Sequence, residues 1–199
     1  MDTTDTITRP LQLAVIVASN REGRFGHIVT DWFAGHAGAH QDFATRVIDL
    51  AEVDLPTALS RDPGAAVRAE LAKVGPVLAE ADAFVVVTPE YNHSFPASLK
   101  ALIDWHFTEW QAKPAAFVSY GGISGGLRAV EQLRQVFAEM HTTTIRETVS
   151  FAGVHGSFTE DGTLKDPEIP DAAAIRLLDQ LAWWAHALRD AKAVRPYAG

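Results

Sequence analysis

The stretch that decides the fold is Thr88-Pro89-Glu90-Tyr91-Asn92-His93-Ser94-Phe95-Pro96, preceded by the apolar run Ala83-Phe84-Val85-Val86-Val87. A continuous run rich in Val and Phe is typical of a strand that is buried on both faces of a parallel sheet. Pro89 cannot donate a hydrogen bond to a neighbouring strand, and Pro96 suits the first turn of a helix. The polar turn between them is therefore expected at the carboxyl edge of an open parallel sheet, where such proteins bind ligands.

The same alternation of strand and helix repeats five times along the chain. The predicted strands cover residues 11–18, 43–50, 83–88, 115–120 and 144–151, and the predicted helices cover about 25–37, 65–81, 95–110, 127–140 and 171–192. Gly75-Pro76 is expected to kink or interrupt the second helix, because Pro76 cannot donate to the preceding turn. Right-handed crossovers between such units predict an α/β protein with a five-stranded parallel sheet and helices on both faces.

The second predicted strand indicates the order of the sheet. Residues 43–50 mix Val47 and Ile48 with polar side chains, as an edge strand does. This favours the doubly wound order 2-1-3-4-5, which places the ends of the first, third and fourth strands side by side. We expect one domain over residues 11–192, a flexible N-terminal arm over residues 1–10 and a C-terminal tail over residues 193–199.

Composition excludes several classes of function. Among 199 residues, 17 Lys and Arg face 25 Asp and Glu, which gives a formal charge of −8, and no basic run interrupts it. Sequence-independent binding to nucleic acid or to an anionic membrane is therefore not expected. The chain has no cysteine, so redox chemistry needs a bound cofactor. The polar N-terminus and the lack of an apolar run of about 20 residues predict a cytoplasmic protein.

The loop after the first strand is a candidate phosphate site. Ser19 offers a hydroxyl, Arg21 and Arg24 offer charge, and Gly23 and Gly26 let backbone amides approach an anion at a helix start. The loop matches neither the dinucleotide-binding glycine pattern nor the P-loop. A solvated turn with two surface arginines explains these residues equally well.

The central loop offers Glu90, Tyr91, Asn92 and His93 in a row. Tyr91 can stack on a planar ring, and Asn92 can both donate to and accept from an amide-like ring edge. In the alternative interpretation Asn92 and Ser94 are only turn and helix-cap residues. The position at a strand end favours a binding role, with which a cap role is compatible.

The third loop, Gly122-Ile123-Ser124-Gly125-Gly126, fits the G-x-S-x-G pattern of a serine hydrolase, with Ser124 as the nucleophile. A triad then needs a histidine that follows a suitable acid, and His141, His155 and His186 are poor candidates by position. The glycines of this loop are better explained as a place where bare backbone approaches a flat ring.

Three segments together resemble the NADPH-dependent FMN reductase family: A-S-N-R-E-G-R-F-G at 18–26, T-P-E-Y-N-H-S-F-P-A-S-L-K at 88–100 and S-Y-G-G-I-S-G-G-L-R at 119–128. The similarity extends from Leu11 to about Phe151. That family is flavodoxin-like, a three-layer sandwich, and includes chromate- and quinone-reducing flavoproteins. The P-E-Y-N loop and its distance from the G-G loop are the most specific signs.

The resemblance implies a set of cofactor-binding residues. The phosphate of FMN would be held by the first loop, its ribityl chain and ring by the central loop, and the pyrimidine side of its ring by the third loop. In that order the residues are Ser19, Arg21, Arg24, Phe25 and Gly26; Pro89, Glu90, Tyr91 and Asn92; and Tyr120, Gly121, Gly122 and Ser124. Many relatives begin the first motif with Gly-Ser and place Ser and Asn near its end, so phosphate binding here is expected to depend more on arginine and backbone.

The implied activity is transfer of a hydride from NADPH or NADH through FMN to a flavin, a quinone or a similar small acceptor. No side chain is expected to act as a catalytic acid or base, and no metal site is expected. Arg21, Arg24 and Arg128 are the candidates for the extra phosphate of NADPH. A homodimer or homotetramer is implied, with Trp105, His106 and Trp110 either at its contact surface or in the core. A flavodoxin-type electron carrier and, less favoured, a hydrolase that uses Ser124 are the alternatives.

Overall fold

The computed structural model describes residues 9–198, which form a five-stranded sheet between two layers of helices. The strands are β1 (Leu11–Val17), β2 (Phe43–Asp49), β3 (Ala83–Pro89), β4 (Pro114–Gly121) and β5 (Thr143–Ala152). All neighbours pair in parallel, in the order β2-β1-β3-β4-β5. The order predicted from the polar second strand is confirmed. Residues 1–8 of the predicted arm and Gly199 of the predicted tail lie outside the described residues.

The helices pack on both faces of the sheet through two separate cores. They are α1 (Gly26–Ala39), α2 (Ala65–Glu80), α3 (Ala97–Trp105), α4 (Leu127–Glu139), α5 (Val154–Ser157) and α6 (Glu168–Val194). Successive residues of β1 alternate between the cores, because strand side chains point to opposite faces in turn. Leu13 and Val15 pack with α1 and α6, whereas Ala14 and Ile16 pack with α2, α3 and α4. Every residue of the central strand β3 is buried.

Helix α2 continues through Gly75-Pro76, so the interruption that was one of the two expected effects of this pair does not occur. Val74 and Leu78 on either side of the pair are buried in the core, and this packing holds the helix together across the hydrogen bond that Pro76 cannot donate. A side chain at Gly75 would contact the His106 ring, with 3.6 Å between the added Cβ and Nε2.

Helix α3 is shorter than predicted and ends at Trp105. His106 leaves the helix with extended backbone angles, and the chain then turns so that Trp110 enters the core beside Phe84 and Phe137. Trp110 is fully buried. The core interpretation of Trp110 is therefore correct, and this side chain belongs to no contact surface. Along residues 9–198, each helix is too short or too polar to cross a membrane.

Candidate functional site

The three loops singled out from the sequence meet at the carboxyl edge of the sheet. β1, β3 and β4 are neighbours, and backbone hydrogen bonds continue past the strand ends. Ala18 N donates to Val87 O over 2.9 Å, and Glu90 N donates to Tyr120 O over 3.2 Å. The loop after β1, the central loop after β3 and the glycine-rich loop after β4 therefore share one edge.

The amino end of α1 is open and closely lined. The helix begins at Gly26, and its N-cap residue, Phe25, makes no side-chain hydrogen bond to the first turn. A Cβ atom at Gly26 would overlap Ser19 Oγ and lie 2.7 Å from the Tyr120 hydroxyl. Only glycine fits here, and the free amides of a first helical turn attract anions.

Three buried hydroxyl groups near this helix end form no hydrogen bond of normal geometry within residues 9–198, although the Ser19 hydroxyl lies close enough to that of Tyr120 to lower the pKa of Tyr120. They are Ser19 Oγ, Tyr91 OH and Tyr120 OH, one from each of the three strand ends. An unpaired buried polar group costs about 1–3 kcal/mol, so such groups are uncommon outside ligand sites. Burial raises the pKa of Tyr120 to about 12 and raises that of Tyr91 as well. Both phenols are therefore protonated donors at neutral pH, and the three hydroxyls fit a ligand rich in acceptor oxygens.

The two arginines of the first loop have different surroundings. Arg24 forms a bidentate ion pair with Asp49 at the end of β2, with 2.5 Å between Nη2 and Oδ2, and it donates to Ser19 O over 3.1 Å. The hydrogen bond to Asp49 raises the pKa of Arg24. Arg21 is exposed and makes no ion pair within the described residues; its guanidinium carbon lies 4.9 Å above the centre of the Tyr91 ring. Arg24 thus fastens the loop to β2, whereas Arg21 is the cation at the site entrance.

The central loop is a tight turn. Tyr91 and Ser94 exchange two backbone hydrogen bonds of 2.8 and 3.0 Å, and the residues between them, Asn92 and His93, have φ of 51° and 69°. Two central residues with positive φ are the mark of a type I′ turn. The predicted turn role of Asn92 is confirmed, and its side chain is exposed at the edge of the sheet.

The Glu90 carboxylate joins the central loop to α4. Its side chain is only 7% exposed, and it accepts hydrogen bonds from Arg128 Nη1 over 2.7 Å and from Arg128 N over 3.2 Å. Burial raises the pKa of Glu90, but the hydrogen bonds from Arg128 and Ser124 outweigh burial and hold the pKa below its usual range. Glu90 therefore caps α4, whose own N-cap residue, Gly126, has no side chain to do so.

The glycine-rich loop is closely packed at one end and open at the other. Gly126 has φ of 86°, and a Cβ there would lie 2.8 Å from Ser119 Cβ. Ser119 and Ser150 both donate to Gly125 O, over 2.8 and 2.9 Å. Gly122 is exposed, with no heavy atom within 4 Å of an added Cβ. Bare backbone is thus presented beside Tyr120 and Gly121.

Ser124 does not have the surroundings of a hydrolase nucleophile. Its hydroxyl lies beside the Glu90 carboxylate and helps to lower the pKa of Glu90. The three later histidines bond or stack elsewhere: His141 with Tyr197, His186 with Arg189 and His155 with Phe25. A serine nucleophile requires a histidine within hydrogen-bond reach.

Phe25 and Pro89 support the site through packing. The Phe25 ring packs against His155 and Phe158, with centroids 5.0 and 5.7 Å apart, and so joins the first loop to the segment after β5. Pro89 is the last, buried residue of β3.

Sequence reasoning missed two contributors, Asp49 and Gln132. Asp49 ends a predicted strand and could have been noticed, whereas nothing in the sequence marks Gln132.

Comparison with known proteins shows which fold this chain shares and to which family it belongs. The fold is shared with solved flavoenzymes. The structure of FerB, a flavoenzyme NAD(P)H:(acceptor) oxidoreductase from Paracoccus denitrificans, superimposes with a TM-score of 0.69 at 21% identity, over 89% of this chain and 98% of that one. The family model described as NADPH-dependent FMN reductase matches residues 11–156, well over half of the chain. The chain belongs to the NADPH-dependent FMN reductase family, as its three loop motifs predicted.

Two curated relatives illustrate the similarity in sequence. An NAD(P)H-dependent FMN reductase of Schizosaccharomyces pombe is 35% identical over 132 residues, which cover 63% of this chain and 64% of the relative. A probable NADPH:quinone oxidoreductase of Oryza sativa subsp. japonica is 36% identical over 109 residues, which cover 52% of this chain and 54% of the relative. The chain thus spans less than two thirds of the length of each of these relatives.

Proposed function

We propose that this chain is an NAD(P)H-dependent oxidoreductase that binds FMN at the carboxyl edge of the sheet and passes reducing equivalents to a small acceptor. The observation that carries the proposal is the convergence of three unpaired buried hydroxyls on an uncapped helix end. Family membership supports the same assignment. A phosphate monoester with a polyol chain supplies the acceptor oxygens that these donors lack.

The residues around α1 suit the phosphate. The free amides of the first turn, the Ser19 and Tyr120 hydroxyls beside Gly26, and the Arg21 guanidinium are the groups that would hold it. Arg24 would contribute indirectly, because Asp49 binds its guanidinium and this ion pair orients the loop. The ribityl chain and ring would then lie along Pro89–Asn92 and Tyr120–Gly122, with Phe25 and Ser124 supporting these loops.

The side chains have positioning and electrostatic roles. FMN, when bound, supplies the redox chemistry by accepting a hydride from the nicotinamide and passing electrons to the acceptor. Tyr91 and Tyr120 are protonated across the neutral range, and burial raises their pKa values further, so each can donate a hydrogen bond to a bound cofactor. Glu90 stays ionised and bound to Arg128, so it is a structural carboxylate here and not a proton donor. No catalytic acid or base is assigned.

The acceptor class is proposed from the relatives. Their names describe FMN reductases and NADPH:quinone oxidoreductases, so free flavins and quinones are the acceptors to test first. Of the three arginines considered for the NADPH phosphate, only Arg21 is free of a carboxylate partner within residues 9–198. We also propose a cytoplasmic location, a single domain over residues 11–192 and a homodimer or homotetramer.

The decisive experiment is a flavin titration followed by anaerobic reduction. We expect the purified protein to bind FMN in the micromolar range or tighter, and NADPH or NADH to bleach the bound flavin. Reoxidation by quinones and by free FMN would then identify the acceptor. Absence of FMN binding would overturn the proposal, and binding without bleaching by either nicotinamide would indicate an electron carrier instead.

A further inference from the structure

The central turn adopts a backbone conformation that glycine would adopt more readily than the residues present. Asn92 and His93 have φ of 51° and 69°, and although Asn and His enter the left-handed region more often than most residues, each is less favourable there than glycine. Type I′ turns strongly prefer Asn-Gly at these two positions. A strained turn of this kind persists only where its surroundings hold it, and strain of this kind collects at binding sites.

Helix α4 supplies the groups that hold the turn. Gln132 Nε2 donates to His93 O over 2.8 Å, and the Ser94 hydroxyl donates to Gln132 Oε1 over 2.6 Å. One amide group thus bonds both sides of the turn. Arg128, one helical turn earlier, binds the Glu90 carboxylate at the start of the same loop over 2.7 Å. Residues four apart share a helix face, so one face of α4 fastens the loop at two points.

We propose that Gln132 and Arg128 are positioning residues that hold residues 90–94 in the shape required for FMN binding; this inference rests on the proposed function. Neither residue needs to touch the cofactor. Their effect is to order the loop before the ligand arrives, which lowers the entropic cost of binding. Without Gln132 the turn at Asn92-His93 would open in the free protein, and Tyr91 would no longer be held beside the first loop.

The test uses the full chain and two independent readouts. For Gln132→Ala we expect the amides of Tyr91 and Ser94 to exchange with solvent about tenfold faster in the flavin-free protein, as the loss of about 1.4 kcal/mol of local stability predicts. We expect the dissociation constant for FMN to rise about five- to tenfold. The midpoint of thermal unfolding should change little, because Gln132 is exposed. Gln135→Ala, an exposed glutamine on the same helix, is the matched control and should change neither readout.

A rescue variant separates positioning from general damage. His93→Gly relieves the strain of the turn and makes its central pair Asn-Gly, so in the Gln132→Ala background it should slow the exchange and restore most of the FMN affinity. Unchanged exchange at Tyr91 and Ser94 in Gln132→Ala would overturn the inference whether or not the protein binds flavin. Faster exchange with unchanged FMN affinity would also overturn it. Failure of the parent protein to bind FMN would instead overturn the proposed function, and the exchange data would still decide whether α4 holds the turn.

Discussion

The two edges of the sheet are both rich in polar side chains, but they differ in how those side chains are paired. At the amino edge a cavity of about 730 Å³ is lined by charged residues of both signs, including Arg9, Glu80, Asp82 and Lys113. At the carboxyl edge the polar groups of interest are uncharged hydroxyls enclosed between loops. Cavity volume alone would direct attention to the amino edge.

The charges of Arg9, Asp82, Arg46, Glu80 and Lys113 at the amino edge are paired with one another or with the end of a helix. Arg9 binds Asp82 through two hydrogen bonds of 2.7 and 3.0 Å, and Arg46 binds Glu80 over 2.8 Å. Lys113 Nζ donates to Leu78 O and Ala79 O over 2.8 and 2.9 Å, at the carbonyl end of α2. Cations are stabilising at that end of a helix.

The carboxyl edge, in contrast, leaves donors unused. Ser19, Tyr91 and Tyr120 each carry a buried hydroxyl without a partner in the described part of the chain. Such groups destabilise the protein on its own and become favourable when a ligand binds them. Among the described residues Thr30 and Thr45 also carry unpaired buried hydroxyls, so what marks the carboxyl edge is that three such groups from three neighbouring strand ends lie together there. Removing a polar group should therefore have opposite effects on stability at the two edges.

The largest effect is expected from closing the space beside α1. Gly26→Ala places a methyl group against Ser19 Oγ and the Tyr120 hydroxyl. Overpacking of this kind costs about 1–3 kcal/mol of folding stability. Because the methyl group also fills the space beside the free amides of the first turn, we expect FMN affinity to fall about 30-fold, the equivalent of about 2 kcal/mol, in a fluorescence titration. Gly35→Ala is the control, because an added Cβ there meets no heavy atom within 4 Å. It should leave FMN affinity unchanged and stabilise the helix by about 0.5–1 kcal/mol. Equal affinities for the two variants would place the phosphate elsewhere.

A somewhat smaller effect is expected at the amino edge, on stability rather than on binding. Lys113→Met leaves the carbonyls of Leu78 and Ala79 without their donor, and we expect the free energy of unfolding to fall by about 1.5 kcal/mol in urea denaturation at about pH 10, where burial of the ammonium group no longer destabilises the parent. FMN affinity should not change. Lys73→Met, which removes an exposed partner of Glu70, is the control and should cost less than about 0.5 kcal/mol.

The same variant predicts a pH dependence. Burial lowers the pKa of Lys113 from 10.5 to about 8, so between these values the unfolded chain binds more protons than the folded one. This group therefore makes the parent protein more stable as pH rises from 8 towards 10.5, and it contributes its full penalty below pH 8. The stability advantage of the parent over Lys113→Met should grow across that interval. A constant difference would contradict the assigned surroundings of Lys113.

The smallest effect is the one that best distinguishes the edges. Tyr120→Phe removes an unpaired buried hydroxyl, so the flavin-free protein should become more stable by about 1 kcal/mol, while FMN affinity should fall about fivefold. Thermal unfolding with and without FMN measures both changes. Ser19→Ala should behave in the same way, since its hydroxyl is also unpaired. Loss of stability in both flavin-free variants would mean that these hydroxyls are already satisfied in the folded protein.

Much of the fold could be predicted because the relevant signals are local. The polar character of residues 43–50 marked β2 as an edge strand, and the sheet order followed from it. The end of α3 could not be predicted, because Trp110 continues a helical apolar pattern and leaves the helix only to fill the space beside Phe84 and Phe137. The continuity of α2 through Pro76 has the same origin, since packing of Val74 and Leu78 offsets a local preference.

For the site, the order of strands along the chain is enough to predict which loops come together. Buried apolar strands and right-handed crossovers allow few sheet orders, and the ends of β1, β3 and β4 must then meet. Which side chains of those loops already have a partner is visible only in the folded protein: Arg24 pairs with Asp49, Glu90 pairs with Arg128, and Gln132 donates to His93 O. These partners lie 25, 38 and 39 residues apart along the chain. A hydrogen bond acts over about 3 Å, so the choice among such partners is made only when packing brings them within that distance.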